Sequence, residues 1–349
     1  MIELINMPLT DDLLQDFPGE ELGHFCEKLG VSGVEAIWGD TPLTVPVDKS
    51  LVRGWHLTFF CDWIDLWQGN FDALDRKFGS RKAWQDFYGD VDRYAVVEAF
   101  RKDLQRAREY GAEYVVWHVS DVSIEECYTY SWLHSDEEVV DACCELINML
   151  MENEAFDFWL LLENLNWAGL NFLSPDLTKR LFSGINYEKK GFMLDVGHLM
   201  CTNPEIRTQE EGIAYVLKVL EEHRTLLPHI KGLHMHQSVS GRYVRDNTGY
   251  LLPDGSLPRR GGQSPGGDLT EISRRLSESL ESLPEDYIEK FIVCYKHILN
   301  IDTHRPFTSK YARSILELVQ PEYLVHELAA PDPAAKAEAV AQQRGALGL

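Results

Sequence analysis

Long apolar runs are missing from this 349-residue chain. None approaches the roughly 18 residues that a membrane-spanning helix needs, so no span is predicted. Met1-Ile-Glu-Leu-Ile-Asn6 carries no basic segment and no cleavage site, which argues against a secretory leader and for a cytoplasmic protein. Paired cysteines are missing too. The seven present (Cys26, Cys61, Cys127, Cys143, Cys144, Cys201 and Cys294) show no CxxC spacing, so neither a disulfide framework nor a thiolate zinc site is expected. Cations are scarce: 33 Lys and Arg stand against 56 Asp and Glu, a net charge of −23. Nucleic acid and anionic membranes are disfavoured partners, because binding a phosphate backbone needs clustered basic side chains that displace counterions. A Gly-rich dinucleotide turn is also absent after the first apolar run, which weakens the case for a doubly wound open sheet.

What is present is a core and a rhythm. Hydrophobic residues make up 44% of the chain, and no composition break divides it. Candidate strands lie at 2–6, 33–38, 55–60, 113–118, 157–163, 191–195, 229–236 and 322–327. Several are continuously apolar, as expected of parallel strands covered by helices. Helical periodicity falls between them, at 19–29, 91–110, 135–152, 209–223, 309–319 and 333–347. Asp90 and Asp332 are expected caps, Pro333 suits a first helical position, and Ser135 with Glu138 forms a capping box. Eight alternating units predict an α/β fold, a (β/α)8 TIM barrel in a single domain over 1–349. Two insertions, 61–90 and 237–300, follow strands 3 and 7 and should sit over the C-terminal face. The second is expected to hold helices near 268–282 and 285–298.

Six apolar runs end in a carboxylate or a histidine: Tyr114–His118, Trp159–Glu163, Phe192–Asp195, Ile230–His236, Ile301–His304 and Tyr323–Glu327. In a barrel the strand ends converge on one face. Glu163, Asp195, His234 and Glu327 would then meet, and three carboxylates with one imidazole suit Mn, Co, Mg or Zn as a divalent metal cofactor. His326 precedes Glu327 and should point away from the interior.

Glu163-Asn-Leu-Asn166, Leu194-Asp-Val-Gly-His198, Lys231-Gly-Leu-His-Met-His236 and the strand-8 Glu327 resemble the xylose isomerase-like TIM-barrel superfamily of sugar isomerases, sugar epimerases and endonuclease IV. The resemblance carries recognisable motifs over 113–328. It implies Glu163, Asp195, His234 and Glu327 as metal ligands. It also implies a position for His198 that touches substrate in epimerases and a second metal in endonuclease IV. His236 shares a face with His234; motif alignment makes His234 the primary ligand and leaves His236 to substrate, to a second metal or to packing. Asp302-Thr-His304 resembles the Asp-x-His pair of endonuclease IV, and with His56 and His118 it echoes that family's multi-zinc site. The flanking Arg305-Pro-Phe departs from the family's glycine-rich segment, and the lysine-rich strand-5 motif of true xylose isomerases is missing. That absence favours proton transfer over a hydride shift.

The expectation is a metal-dependent isomerase or epimerase of a sugar, sugar phosphate or polyol, working through a metal-stabilised enediolate. Glu163 and Glu327 would exchange the proton beside His198. His118, His236, Trp167, His56 and Arg305 would contact a small carbohydrate. Asp302, His304 and His198 would hold any second metal. Two alternatives stand: a multi-zinc hydrolase or lyase of the endonuclease IV type, and a non-catalytic binding protein on the same barrel. Homo-oligomerisation is left open. The aromatics of 61–90 are either a sugar-stacking wall or that insertion's own core. Arg242, Arg245, Arg259 and Arg260 in loop 239–267 either form an anion-binding lid or pair with the acidic surface. Leu252-Pro-Asp-Gly-Ser-Leu reads as a turn, and Asp40, Asp62 and Asp121 carry no motif.

Overall fold

The computed structural model describes residues 1–16, 19–38, 43–58, 61–152, 154–250 and 283–349. Eight parallel strands close into a barrel in sequential order: β1 (Ile2–Leu9), β2 (Val34–Trp38), β3 (Val52–His56), β4 (Tyr114–His118), β5 (Trp159–Glu163), β6 (Lys190–Asp195), β7 (Ile230–His234) and β8 (Tyr323–His326). Their near-continuous apolar character follows from burial on both faces. On β5, Leu160 and Leu162 pack outward into the main core, whereas Leu161 faces inward with Tyr114, Val116, Met193, Tyr323 and Val325. Two glycines make room inside. A Cβ on Gly54 would sit 2.2 Å from the Tyr114 ring, and one on Gly232 would sit 2.5 Å from the Met193 sulfur.

The helices at Gly19–Leu29, Asp136–Met151, Gln209–Glu222 and Pro333–Leu347 match their predicted spans closely. Ser135 and Glu138 form the reciprocal capping box, and Asp332 accepts from the Ala335 amide at the first turn behind Pro333. Other boundaries move. The strand expected at 55–60 runs instead from Val52 to His56. It stops there because the Thr58 amide donates to Asp103 Oδ2 at 2.7 Å instead of to a neighbouring strand. Asp90 does not cap the next helix, which starts at Tyr94; Asp90 accepts from Val91 and Asp92 from Tyr94 in a preceding turn. The expected 309–319 helix splits into a 3-10 turn, Lys310–Ala312, and the α-helix Arg313–Val319. The helix Pro175–Gly184, capped by Ser174, has no counterpart among the predicted spans.

The first insertion folds into Ile64–Gln68, Phe71–Phe78 and Arg81–Tyr88, each closed by a glycine in the left-handed region: Gly69, Gly79 and Gly89 at φ 72, 79 and 82°. Trp63, Trp67, Phe78, Trp84 and Tyr88 are buried. These aromatics form the insertion's core, so they are not a sugar-stacking wall. Lys77 sits between Asp62 and Asp65 beneath them. In the second insertion the described helices are Gly241–Asn247 and Glu285–Ile301. Arg242 pairs with Asp246 at 3.6 Å, and Arg245 is tied to the Pro204 carbonyl and Glu205. The expected helix at 268–282, the turn at Leu252, Arg259, Arg260 and Asp40 lie outside the described residues. No described helix is long and apolar enough to cross a membrane, and all seven cysteines are free.

Candidate metal centre

Inward-facing positions recur every second residue along a strand. Two residues beyond the inward Leu161, Met193 and Val116, the chain places Glu163, Asp195 and His118 at the C-terminal mouth. β3 adds His56 and β7 adds His234 and, past its end, His236. Glu327 follows β8, and Asp302 and His304 follow the Glu285–Ile301 helix. Their donor atoms gather into groups whose members lie within 4.8 Å of one another: His56, His118 and Glu163; Glu163, Asp195, His234 and Glu327; and His198, Asp302 and His304. Two further groups, Glu35 with His56 and His234, and His236 with His304 and Glu327, overlap these.

Glu163 is the hinge between groups. Its Oε2 lies 3.2 Å from His56 Nε2 and 2.9 Å from His118 Nε2, while its Oε1 lies 3.1 Å from His234 Nδ1. In the central group, His234 Nδ1 also lies 2.9 Å from Glu327 Oε2 and 3.6 Å from Asp195 Oδ2. In the third, His198 Nε2 and His304 Nδ1 stand 3.0 and 3.2 Å from the same oxygen of Asp302.

Neighbours hold these side chains in place. Asn164 ties β5 to β6: its Oδ1 accepts from the Asp195 amide at 2.9 Å and its Nδ2 donates to the Asp195 carbonyl at 3.0 Å. Asp195 caps the short helix Val196–Cys201 by accepting from the His198 amide at 2.6 Å. Ser238 donates to Asp302 Oδ1 at 2.9 Å. A Cβ on Gly197 would fall 1.9 Å from the His236 ring, so glycine is needed for that imidazole to lie against the turn. His304 has φ +44°, left-handed backbone held at the mouth of the site.

The electrostatics are those of opposed buried charges. Burial pulls the His56 imidazole down, but Glu163 and Glu35 outweigh it and raise it to about 9. His304 likewise reaches about 9 against burial, through Asp302 and Glu327. Burial also pulls His198 and His234 down, and the carboxylates around them outweigh it and raise both well above the ordinary imidazole value. Burial pushes the Glu163 and Glu327 carboxyls up, and the adjacent imidazoles override it and hold both well below the usual range.

Divalent cations fit this arrangement. Donors bound at about 2.1 Å to one tetrahedral ion stand roughly 3–3.5 Å apart, close to the 2.9–3.6 Å separations within the groups. Glu163 Oε2 and Glu327 Oε2 are buried and have no aligned hydrogen bond among the described residues, although an imidazole nitrogen stands 2.9 Å from each. The imidazoles suit zinc, whereas the three carboxylates of the central group also suit manganese or magnesium.

The structure therefore brings together Glu163, Asp195, His198, His234, Glu327, Asp302, His304, His56, His118 and His236. It puts His56 and His118, assigned to substrate on sequence, in a ligand group with Glu163. Trp167 sits apart, buried with Val122, Cys127, Tyr128, Leu165 and Cys294. Arg305 is exposed, and its backbone pairs with Gln237. His326 turns outward to Glu3 and Gln343. Sequence reasoning missed Glu35, which sits inside a β2 run instead of at its end. Its one signal was a lone carboxylate amid Val34, Ala36, Ile37 and Trp38.

A family model described as xylose isomerase-like TIM barrel matches residues 24–278. Comparison with curated proteins gives no match. Among solved structures, an endonuclease IV from Thermus thermophilus superposes over 100% of this chain and 99% of its own, at 12% identity and a TM-score of 0.51. The E. coli 3-keto-D-glucoside 4-epimerase, in its apo form, covers 99% of each chain at 12% identity and a TM-score of 0.47. A D-psicose 3-epimerase structure determined in the presence of D-fructose covers 100% of both chains at 12% identity and a TM-score of 0.44. At such identities the likeness concerns the fold. With the closed eight-stranded barrel, the match over 24–278 places the chain by descent: it belongs to the xylose isomerase-like TIM barrel family.

Proposed function

We propose that the chain is a multinuclear metal-dependent hydrolase of phosphate esters. The observation that carries this reading is Glu163, whose two oxygens face different histidine groups, with a third group beside them around Asp302. When bound, divalent cations in such a cluster supply Lewis acidity toward a phosphoryl oxygen. The chain's own residues do the rest. Glu163 bridges the first and central groups, and Asn164 keeps β5 and β6 in step. Asp195 Oδ2 holds His236 Nε2 at 2.9 Å, and His236 Nδ1 has no hydrogen-bond partner among the described residues. The His236 ring stacks on His304 at 4.2 Å, and the His304 side chain is 22% exposed against 0% for Glu163. His304 is therefore the imidazole that a substrate meets first, and the buried His236 Nδ1 behind it is left to hydrogen-bond an ester oxygen that enters the site. Endonuclease IV shares the fold, but a net charge of −23 opposes a nucleic-acid duplex. The reading is of a smaller ester.

A second reading, a one-cation sugar epimerase, is favoured by the central group alone. Glu163 and Glu327 come from strands three places apart around the barrel and bracket His234 Nδ1 at 3.1 and 2.9 Å, a pair able to remove and return a proton. The deciding experiment assays the zinc- or manganese-loaded protein on bis(p-nitrophenyl) phosphate and, in D2O, on ketoses. Ester cleavage is expected. Deuterium uptake into a ketose without ester cleavage would establish the second reading.

A further inference from the structure

Three histidines, one in each group, have a ring nitrogen hydrogen-bonded to a partner outside their own group, but the partners differ. His56 Nδ1 donates to the Leu57 carbonyl at 3.1 Å, and His198 Nδ1 donates to the Asn164 carbonyl at 3.0 Å. His234 meets a carboxylate instead. Its Nε2 lies 3.2 Å from Glu35 Oε2 in hydrogen-bond alignment and 3.0 Å from Oε1. Both residues are fully buried. Glu35 in turn accepts from the Tyr114 hydroxyl at 2.7 Å, and the Tyr114 ring lies against Gly54, where any side chain would collide with it. The relay thus runs from the floor of the barrel, Gly54 and Tyr114, through Glu35 to the central group.

We infer that Glu35 is a positioning residue. It holds the proton of His234 on Nε2, so that Nδ1 faces Glu163, Asp195 and Glu327 as the donor to the central cation. This inference rests on the metal-centre reading above. A carboxylate behind a ligating imidazole fixes the ring's tautomer and orientation and makes the inner nitrogen more basic. A backbone carbonyl does the first of these with no net charge. The central group, with three carboxylates facing one imidazole, is where the added charge falls.

The test uses the full chain loaded with Zn²⁺ alone. Zinc release is titrated with a chromophoric chelator, and histidine tautomers are read from ¹⁵N-histidine spectra. Wild-type protein is expected to hold two or three zinc ions, with His234 protonated on Nε2. In Glu35→Gln one zinc should weaken by about 10- to 100-fold, the His234 resonances should move, and the other zinc should stay as tight as in wild type. Retention of every zinc at wild-type affinity with unmoved His234 signals would overturn the role of Glu35 and leave the metal centre standing. Equal weakening of all zinc would also overturn it, since that is the signature of general structural damage. A wild-type chain that holds no zinc would overturn the metal centre and this inference together. Should Glu35→Gln not fold, Tyr114→Phe removes only the donor to Oε2. It should weaken the same zinc in the same direction by a smaller factor, and no change there would count against the relay.

Discussion

Two layers fill the barrel interior, and they obey the same geometry with opposite chemistry. The lower layer holds Leu4, Tyr114, Val116, Leu161, Met193, Tyr323 and Val325, an apolar plug. The upper layer, two residues further along the same strands, holds His118, Glu163, Asp195 and Glu327. Dry packing below gives the charged layer above a rigid floor. A buried carboxylate there persists only where an imidazole or a cation compensates it. The contrast teaches that stability and chemistry are divided by height along the barrel, with Glu35 as the link between them.

The largest effect should come from the upper layer. Glu163→Ala removes both bridging oxygens; ester turnover should fall about 1000-fold, some 4 kcal/mol of transition-state stabilisation. Elemental analysis should show more than one cation lost. Leu161→Ala, two residues away, should do the reverse: a loss of about 2–5 kcal/mol in denaturant unfolding, with the cation count unchanged. Cation loss in Leu161→Ala would erase the division. Gly197→Ala drives a methyl into the His236 ring and should lower turnover by about 10- to 100-fold, as loss of an outer hydrogen-bonding residue does, with cations retained.

The division also has a pH signature. His56 and His304 are raised from 6.5 to about 9 in the metal-free fold. A raised folded-state value stabilises fully below the unfolded value and is lost as pH climbs through the folded one. The urea midpoint of the metal-free protein should therefore fall between pH 6.5 and about 9. The metal-loaded protein should stay nearly level over that range, because a cation replaces those protons. Arg305→Ala should matter least: an exposed side chain contributes within about 0.5 kcal/mol to stability, and turnover should change less than about threefold by the same energy scale.

How much of this could be read from the sequence follows the same two layers. Glu163, Asp195, His234 and Glu327 were legible because each lies at or next to the end of an apolar run, where a barrel's parallel strands converge. His56 was found although its strand was placed too late; the Asp103 side chain that takes the Thr58 amide and ends β3 lies 45 residues from Thr58 in sequence. Glu35 was not legible, because only the inward alternation of β2 and the approach of β7 make it a partner of His234. The role of Glu163 as a bridge was hidden as well: nothing in Trp159–Glu163 says that its two oxygens face different groups. The three short helices of 61–90 were missed, although the ten-residue spacing of Gly69, Gly79 and Gly89 marks their ends. There the aromatics left a binding wall and a small core as alternatives, and their burial selects the core.

The central claim is that Glu163 joins two cation sites in one cluster. The most direct measurement is the number of zinc or manganese ions per chain, by elemental analysis of protein purified without chelators, in wild type and in Glu163→Gln. Two or three ions in wild type, falling by more than one in the variant, is the predicted result. A single ion in wild type, or a variant that keeps the full wild-type complement, would contradict it.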